Sequence, residues 1–524
     1  MSLFGRAMAK LGYVPAKAIN SAYRGAARGR LDADWAVSVL SADQEVRSSL
    51  RAMRARSRQL VNNNDYAIRF VNKVKENVVG SNGITLQMLL DPKAPGAAKY
   101  NQAIEDALKR FCECVTADRT MTFLDYCQLA MTSQVADGEL FTHNIKGYPF
   151  APSRFALQLI DPDQVDIMLN RLRRPGAQDG ENEIRMGVEL DPWRRRVAYW
   201  AYDGHPSEFA GVVRKRIPAE QIEHVYTFKR INQTRGVPFF HTAMTRMHML
   251  GGYEEAELVA ARLAACKMAI ITSKTGEEFA GQRGATSGAV EMTAEPGSFD
   301  QLPVDMDFKP LDWQHPNSAF PDFERAMLRG IAVGLNVSYS SISGDLREVN
   351  FSSLRQGVLD EREGWKVLQT FARDHICKPV FEAWLPMALT SGELDLPAKL
   401  PLDEVIRAAS WTSRGWDWVD PMKDVQADIM GIRSGLGTYQ LACAKRGLDY
   451  RDVFAQRAKE DQEARDLGLA LDLSTSGSGG IEGDTAADEP QRGVVPPKPG
   501  NKPPANKPNG LDAEILNDFV RLPQ

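Results

Sequence analysis

The chain is 524 residues long, and because domains average about 100–200 residues it is expected to fold as several lobes. Its 43% hydrophobic and 25% charged residues match an ordinary globular protein rather than a disordered or fibrous one. Lys and Arg number 64 against 68 Asp and Glu, a net charge of −4, which excludes a whole-protein electrostatic clamp on nucleic acid, since such binders need a cationic surplus to displace counterions.

Residues 1–48 open with a basic arm. Arg6, Lys10, Lys17, Arg24, Arg28 and Arg30 occur there before any acid, without the continuous apolar stretch of a secretory signal. Such an arm suits either a contact with DNA or a neighbouring subunit, or a solvated tail. Residues 49–79 carry Leu60, Ala67, Ile68, Val71, Val74 and Val78 at helical spacing and stop at Gly80 and Gly83, which predicts one long helix. A second helix is predicted over 100–115, burying Ile104, Ala107, Leu108 and Phe111 behind a Pro92, Pro95 and Gly96 loop.

Between residues 155 and 228 the period becomes that of strands, with candidates at 156–160, 184–190, 196–202 and 223–228 separated by Asp-Pro, Pro-Gly and Asp-Gly turns. Asp161, Asp163 and Asp166 lack the glycine and distal Glu of a calcium loop, so they are read as surface turn acids and no metal site is expected. Residues 241–273 return to helical spacing. Ala256, Ala260, Ala261 and Ala264 crowd its centre, small enough to let neighbouring helices approach closely in a ring. An ordinary buried helix in a monomer has the same composition.

Residues 275–320 are rich in Gly and Pro and read as loop and strand, and 323–334 as helix. Residues 336–353 form a polar, serine-rich stretch broken by Gly344, after which a long charged helix runs from about 354 past Phe371. Residues 421–469 are helical and charged, interrupted at Gly435 and Gly437. Residues 474–510 are Gly/Ser-rich and then Pro/Lys-rich, a composition that cannot bury enough apolar surface to fold. At the end, Ile515, Leu516, Phe519 and Val520 fit one short amphipathic helix, a possible docking element.

Catalytic patterns are missing from the sequence. No phosphate-cradling G-x-x-x-x-G-K-[ST] string occurs, which argues against a packaging motor or other ATPase, and there is no G-x-S-x-G, no H-E-x-x-H and no paired Cys/His set. The 7 histidines are scattered, and His241 and His248, seven apart on the expected helix, read as a structural face. The 6 cysteines form no C-x-x-C pair, consistent with free thiols in a reducing compartment. No run of about 18 apolar residues exists, so no membrane span is predicted. Neither an enzymatic activity nor a cofactor is expected.

The string FERAMLRGIAVGLNVSYSSISGDLREVNFSSLRQGVLDEREGW, beginning at Phe323, resembles the signature of lambda-type tailed-bacteriophage portal proteins: an aromatic-led helix, an R-x-I-A-x-G-L core, a polar loop near V-N-[YF]-S-S and a long charged helix. SRQLVNNNDYAIRFVNKVKENVVGSNGITLQ, LQLIDPDQVD, GVELDPWRRRVAYW, IPAEQIEHVY and RGVPFF resemble further blocks of that family in the same order. The resemblance implies an α+β portal fold with long stem and wing helices, a β-rich wing lobe, a small clip and a helical crown. It assigns a wing to 49–240 (helical to 150, β-rich over 151–240), a stem helix to 241–274, a clip to 275–320 and a second stem helix to 321–336. A tunnel loop would follow at 337–353, the wing helix and its return at 354–420, the crown at 421–470 and a flexible tail at 471–524.

Implied with it are a dodecameric ring at the capsid vertex and a channel for DNA packaging and ejection. The partners implied are further copies of the chain, double-stranded DNA without sequence preference, the terminase large subunit, major capsid and scaffolding proteins, and head-completion or adaptor proteins. The location implied is the virion, with the host cytoplasm during assembly. The tunnel-loop candidates for DNA contact are Ser341, Ser343, Asp345, Arg347, Glu348 and Asn350, and the stem candidates for the subunit interface are Ala256, Ala260, Ala261 and Ala264. The competing expectation is a minor capsid or head-tail adaptor protein bound to such a ring.

Overall fold

The structure is a computed structural model that describes residues 39–93, 95–173, 182–208, 213–265, 269–273, 306–310, 319–347, 351–397, 400–416 and 421–468. The chain divides into two units, Met1–Gln456 and Arg457–Gln524. The basic arm to residue 38, the Pro-rich tail and its amphipathic tip lie outside the described residues.

The long helix expected at 49–79 begins earlier and is broken. Helix α1 (Ala42–Asn63) starts at a capping box in which the Ser41 hydroxyl accepts the Gln44 N–H and the Gln44 side chain accepts the Ser41 N–H. Asn64 ends it in an extended conformation and caps α2 (Asp65–Val74), accepting the Ala67 N–H at 3.0 Å. A π turn at Lys75–Val79 then shifts the phase so that Val78 and Val79 are both buried before Gly80 (φ 75°) stops the helix. Because of the Asn64 break, Phe70 faces the core and Ile68 is 39% exposed, the reverse of what one continuous helix would give.

Strand β1 (Thr85–Met88) is followed by α3 (Ala97–Cys112), which buries Ile104, Ala107, Leu108 and Phe111 as its spacing predicts. Helix α4 (Phe123–Ala136) and strand β2 (Glu139–Lys146) were not anticipated. They occupy the centre: β2 lies between β3 (Phe155–Ile160) and β8 (Ile222–Tyr226) in an antiparallel sheet, with Phe141 opposite both Ile160 and His224.

A second antiparallel sheet orders β4 (Glu183–Arg185), β5 (Val188–Leu190), β6 (Arg196–Tyr202) and β7 (Arg214–Pro218). The strand expected at 184–190 is therefore two, folded back at Met186 (φ 48°) and Gly187 (φ 80°). Phe141, Ile160, Val188, Leu190, Tyr199 and Ile222 make the apolar layer joining the two sheets.

Helix α5 (Met244–Ala265) is shorter than expected. Residues 269–273 were read as its continuation, but β9 (Ala269–Ser273) pairs antiparallel with β10 (Met306–Pro310), Ala269 opposite Pro310. The β-branched run Ile270, Ile271 and Thr272 prefers an extended chain, and a partner strand overrides the helical alanines before it. His241 sits in a 3-10 turn (Phe239–Thr242) ahead of α5, so it and His248 do not share one helix.

Helix α6 (Phe320–Gly334) has Pro321 in its first turn. The serine-rich stretch, expected to be a loop, contains the short helix α7 (Tyr339–Ser343), and the long helix α8 starts at Phe351 rather than 354 (Phe351–Ala372). It continues through a π turn at Arg373–Cys377 into α9 (Lys378–Ser391), whose Phe381 and Trp384 pack with Phe111 and Phe155 in the main core. After α10 (Leu402–Arg407), β11 (Ala409–Thr412) returns to pair with β1. Helices α11 (Pro421–Arg433), α12 (Tyr439–Lys445) and α13 (Tyr450–Asp466) follow, separated at Gly435 and Gly447. Among the described residues no helix is long and apolar enough to cross a membrane.

Candidate functional site

Three local arrangements bear on function: a buried charge network in the β-rich lobe, the serine-rich turn at α7, and the helix pair α5 and α6.

In the network, Glu139 at the start of β2 is fully buried. One of its oxygens, Oε1, accepts from Arg54 of α1 at 2.6 Å and from Arg235 at 2.7 Å; the other, Oε2, accepts from the Gly236 N–H at 2.9 Å and lies 3.0 Å from His224 Nε2. Burial would push the Glu139 carboxyl up, but Arg235, the His224 contact and Arg54 together hold it well below the usual range. Burial drives His224 down to about 3, so its ring is neutral. Arg235 also donates to the carbonyls of Pro162, Val165 and Met186, so one guanidinium ties the β3–β4 and β4–β5 connections to β2. Close approach of the backbone is required here: a Cβ on Gly236 would stand 2.0 Å from the Gly138 carbonyl oxygen.

Arg54 also bridges to Asp163, and Arg58 reaches Asp137, Asp161 and Asp163. Asp161 and Asp163 place oxygens near His205, with ligand atoms within 4.8 Å of one another, but arginines already neutralise both carboxylates. Asp166 is not a surface acid: it is 9% exposed and accepts the Tyr202 hydroxyl at 3.0 Å.

The serine-rich turn is braced from two sides. Ser338 caps α7 through the Ser341 N–H, and Glu361 of α8 accepts from the Ser338 N–H at 3.2 Å and from the Ser341 hydroxyl at 2.8 Å. From α2, Arg69 Nε donates to the Ser341 carbonyl at 2.6 Å. Gly344 (φ 71°) closes the turn.

Beyond Gly344, Asp345 accepts the Arg347 N–H at 2.9 Å and the Tyr339 hydroxyl at 3.2 Å; these bonds, with the Arg347 charge, hold its carboxyl below its ordinary value. The Ser343 hydroxyl donates to the Tyr339 carbonyl. Ser341, Ser343 and Asp345, expected as outward contacts, are thus engaged within the chain. Arg347 extends its side chain into solvent, 86% exposed and 3.9 Å from Asp345. Glu348 and Asn350 lie outside the described residues. A polar cavity of about 650 Å³ adjoins the turn, lined by Tyr66, Glu324, Asp345 and Arg347 among others.

The helices α5 and α6 lie against each other and against α2. Tyr253 contacts the rings of Phe320 and Phe323 at 5.8 and 4.9 Å, and Gly330 leaves room for the Arg246 guanidinium, which a Cβ would meet at 2.1 Å. The Tyr66 hydroxyl of α2 stands 2.9 Å from Glu254 and 3.2 Å from Glu324, joining both helices to α2. The alanine-rich stretch is only partly covered by this packing. Ala256 and Ala261 are exposed, Ala260 and Ala264 are half-buried, and Leu258 and Met249 are 62% and 69% exposed.

Sequence reasoning missed Arg69, Glu361, Tyr66 and the whole Glu139 network. Arg235, His224 and Asp163 lie inside blocks already singled out, but nothing in one sequence marks the chain-distant partners Arg54 and Glu139.

Over residues 28–369 the chain matches the family described as phage portal protein, lambda family. The chain belongs to the lambda family of phage portal proteins, structural components of the virion. It is 31% identical over 463 residues to the probable portal protein of Halomonas phage phiHAP-1, covering 85% of this chain and 87% of that protein. To portal protein B of Escherichia phage lambda it is 25% identical over 477 residues, covering 83% and 88%. A chain in the solved neck of an empty gene transfer agent (GTA) particle aligns with 73% of this chain and 90% of its own length, at 14% identity and a TM-score of 0.39.

Proposed function

We propose that twelve copies of this portal protein close into a ring at one capsid vertex, and that the α7 turns line a lumen through which double-stranded DNA passes during packaging and ejection. The observation that carries this reading is the exposed Arg347 turn, fixed to the rest of the chain by Arg69 and Glu361. A conduit must touch DNA without gripping it, because each neutralised phosphate adds affinity through counterion release. The turn meets that need: Arg347 has Asp345 beside it, so its net pull on a passing phosphate is weak.

Ring closure demands a heterologous head-to-tail interface. The side of α5 that carries exposed Ala256 and Val259 with half-buried Ala260 beside them supplies one face of it, since exposed apolar side chains on one helix face call for cover by a neighbour. In this reading residues 275–320, of which β10 is described, form the clip that docks the terminase large subunit and, later, head-completion proteins. Major capsid and scaffolding proteins meet the outer lobe during assembly in the host cytoplasm. The portal hydrolyses no ATP itself, and the motor acts through it.

Negative-stain imaging of the purified protein tests the reading. A wide ring with an axial hole is expected, and a persistent single subunit under every assembly condition would overturn it.

A further inference from the structure

Away from the turn and the stem face, Glu223 of β8 is a carboxyl that the buried charge network does not reach. Side chains alternate across a strand, so Glu223, paired opposite Thr142, shares a face with Thr142 and Asn144, while Glu139, Phe141 and His224 occupy the other. Tyr126 of α4 meets the Glu223 face through the Thr142 hydroxyl at 3.1 Å, and β3 sets apolar Leu157 opposite Asn144. Arg54 and Arg235 are held by Glu139 across the sheet, and among the described residues no Lys, Arg or His forms an ion pair with Glu223.

The partner it does have is neutral: Glu223 Oε1 accepts from Asn144 Nδ2 at 2.9 Å. Its other oxygen, Oε2, is buried without a hydrogen-bond partner, and so is Oδ1 of the same Asn144 amide. Leaving a buried acceptor unpaired costs its desolvation penalty, and one hydrogen on Oε2 would satisfy both oxygens at once. The titratable groups that face Glu223 offer no positive charge in exchange. They are Tyr126 of α4, Cys377 of the π turn and Glu382 of α9, the last with Lys378 at 3.9 Å. Burial, with the Glu382 charge added, lifts the Glu223 carboxyl to about 7 against the Asn144 hydrogen bond.

We propose that Glu223 is a neutral carboxylic acid in the folded chain, donating Oε2–H to Asn144 Oδ1 while Oε1 accepts from Nδ2, and that this reciprocal pair is a proton-dependent latch between β8 and β2. Loss of the proton sets two buried acceptors against each other beside Glu382, so the latch is closed below neutrality and opens as the pH rises through about 7.

Glu223→Gln tests this on the full-length protein, because its amide carries the hydrogen at every pH. Infrared difference spectra, wild type minus variant, should show a neutral-carboxyl C=O band at about pH 5 that is gone by about pH 9. Asn144→Leu should move that band to higher frequency, since Oε1 loses its donor and Oε2 its acceptor. If melting shows that this variant does not fold, Asn144→Ala replaces it with the same expectation. In denaturant, the unfolding constant of wild type relative to Glu223→Gln should rise by up to about tenfold per pH unit between 4.5 and 7 and level off above. The proposal is overturned if no such band appears while the protein is folded, if the Asn144 variant leaves the band in place, or if the two unfolding constants keep a fixed ratio.

Discussion

The β-rich lobe and the α7 turn both use arginine against carboxylate, but in opposite surroundings. Around Glu139 the charges are fully buried: Arg54, Arg235, His224 and the Gly236 N–H converge on one carboxylate. At the turn, Glu361 and Arg69 hold the backbone and the Ser341 hydroxyl while Arg347 is left in water. In a low-dielectric site an unpaired charge is very costly, so the first arrangement fixes one geometry. In water an ion pair contributes little, so the second leaves a charge available to a passing polyanion.

The largest expected effect comes from breaking the buried network. Glu139→Ala leaves Arg54 and Arg235 without their carboxylate, and denaturant melts should show a loss of about 3–5 kcal/mol. A loss under 1 kcal/mol would mean that the guanidiniums find other partners and that the contrast with the turn is overstated. Next is Ala260→Trp on the half-buried α5 face, which should prevent ring closure while each subunit keeps its melting temperature. Native mass measurement reads this directly, and an unchanged ring mass would remove α5 from the proposed interface.

Protonation sharpens the comparison at intermediate scale. His224 is held at about 3 when folded against 6.5 when free, so below pH 6.5 the unfolded chain takes up a proton that the folded chain refuses, and stability falls as pH drops. Glu223 behaves oppositely. Burial lifts it to about 7 from 4.5, so the folded chain binds more protons across that window and is favoured as pH drops. The two effects oppose one another between pH 6.5 and 4.5. Glu223→Gln should expose the His224 loss: between pH 7 and 5 the variant should lose about 2 kcal/mol more than wild type, at about 1.4 kcal/mol per pH unit. Parallel pH profiles for the two proteins would refute this account.

What the sequence revealed depended on how local the signal was. The α3 stripe, the β3 and β6 strands and the interruption at Gly435 were legible because spacing and turn residues lie within a few positions of one another. The β9 strand was misread because an alanine-rich helical pattern runs into it, and only pairing with residues 306–310, far along the chain, decides its state. The α7 turn was located but not the partners of its hydroxyls: Glu361, on a helix twenty residues on, engages Ser341, and the Tyr339 carbonyl engages Ser343. Glu139 was invisible for the same reason, its partners lying 85 and 96 residues away.

The smallest effect is the one closest to the proposed function. Glu361→Gln keeps the shape of the brace but weakens charge-assisted bonds to Ser338 and Ser341, so the turn should loosen by only about 1 kcal/mol, visible as faster amide exchange at 338–344 with the global melt unchanged. Arg347→Ala should leave both exchange and assembly alone, because the side chain is 86% exposed and pairs, among the described residues, with Asp345. Under the proposed function its effect falls on DNA: removing one phosphate contact per subunit should lower the salt dependence of retention by about one counterion for each turn engaged. The pair therefore separates holding the turn from using it. If Arg347→Ala packages and retains DNA like wild type while Glu361→Gln does not, the turn matters for its position alone, and the arginine is a solvated bystander.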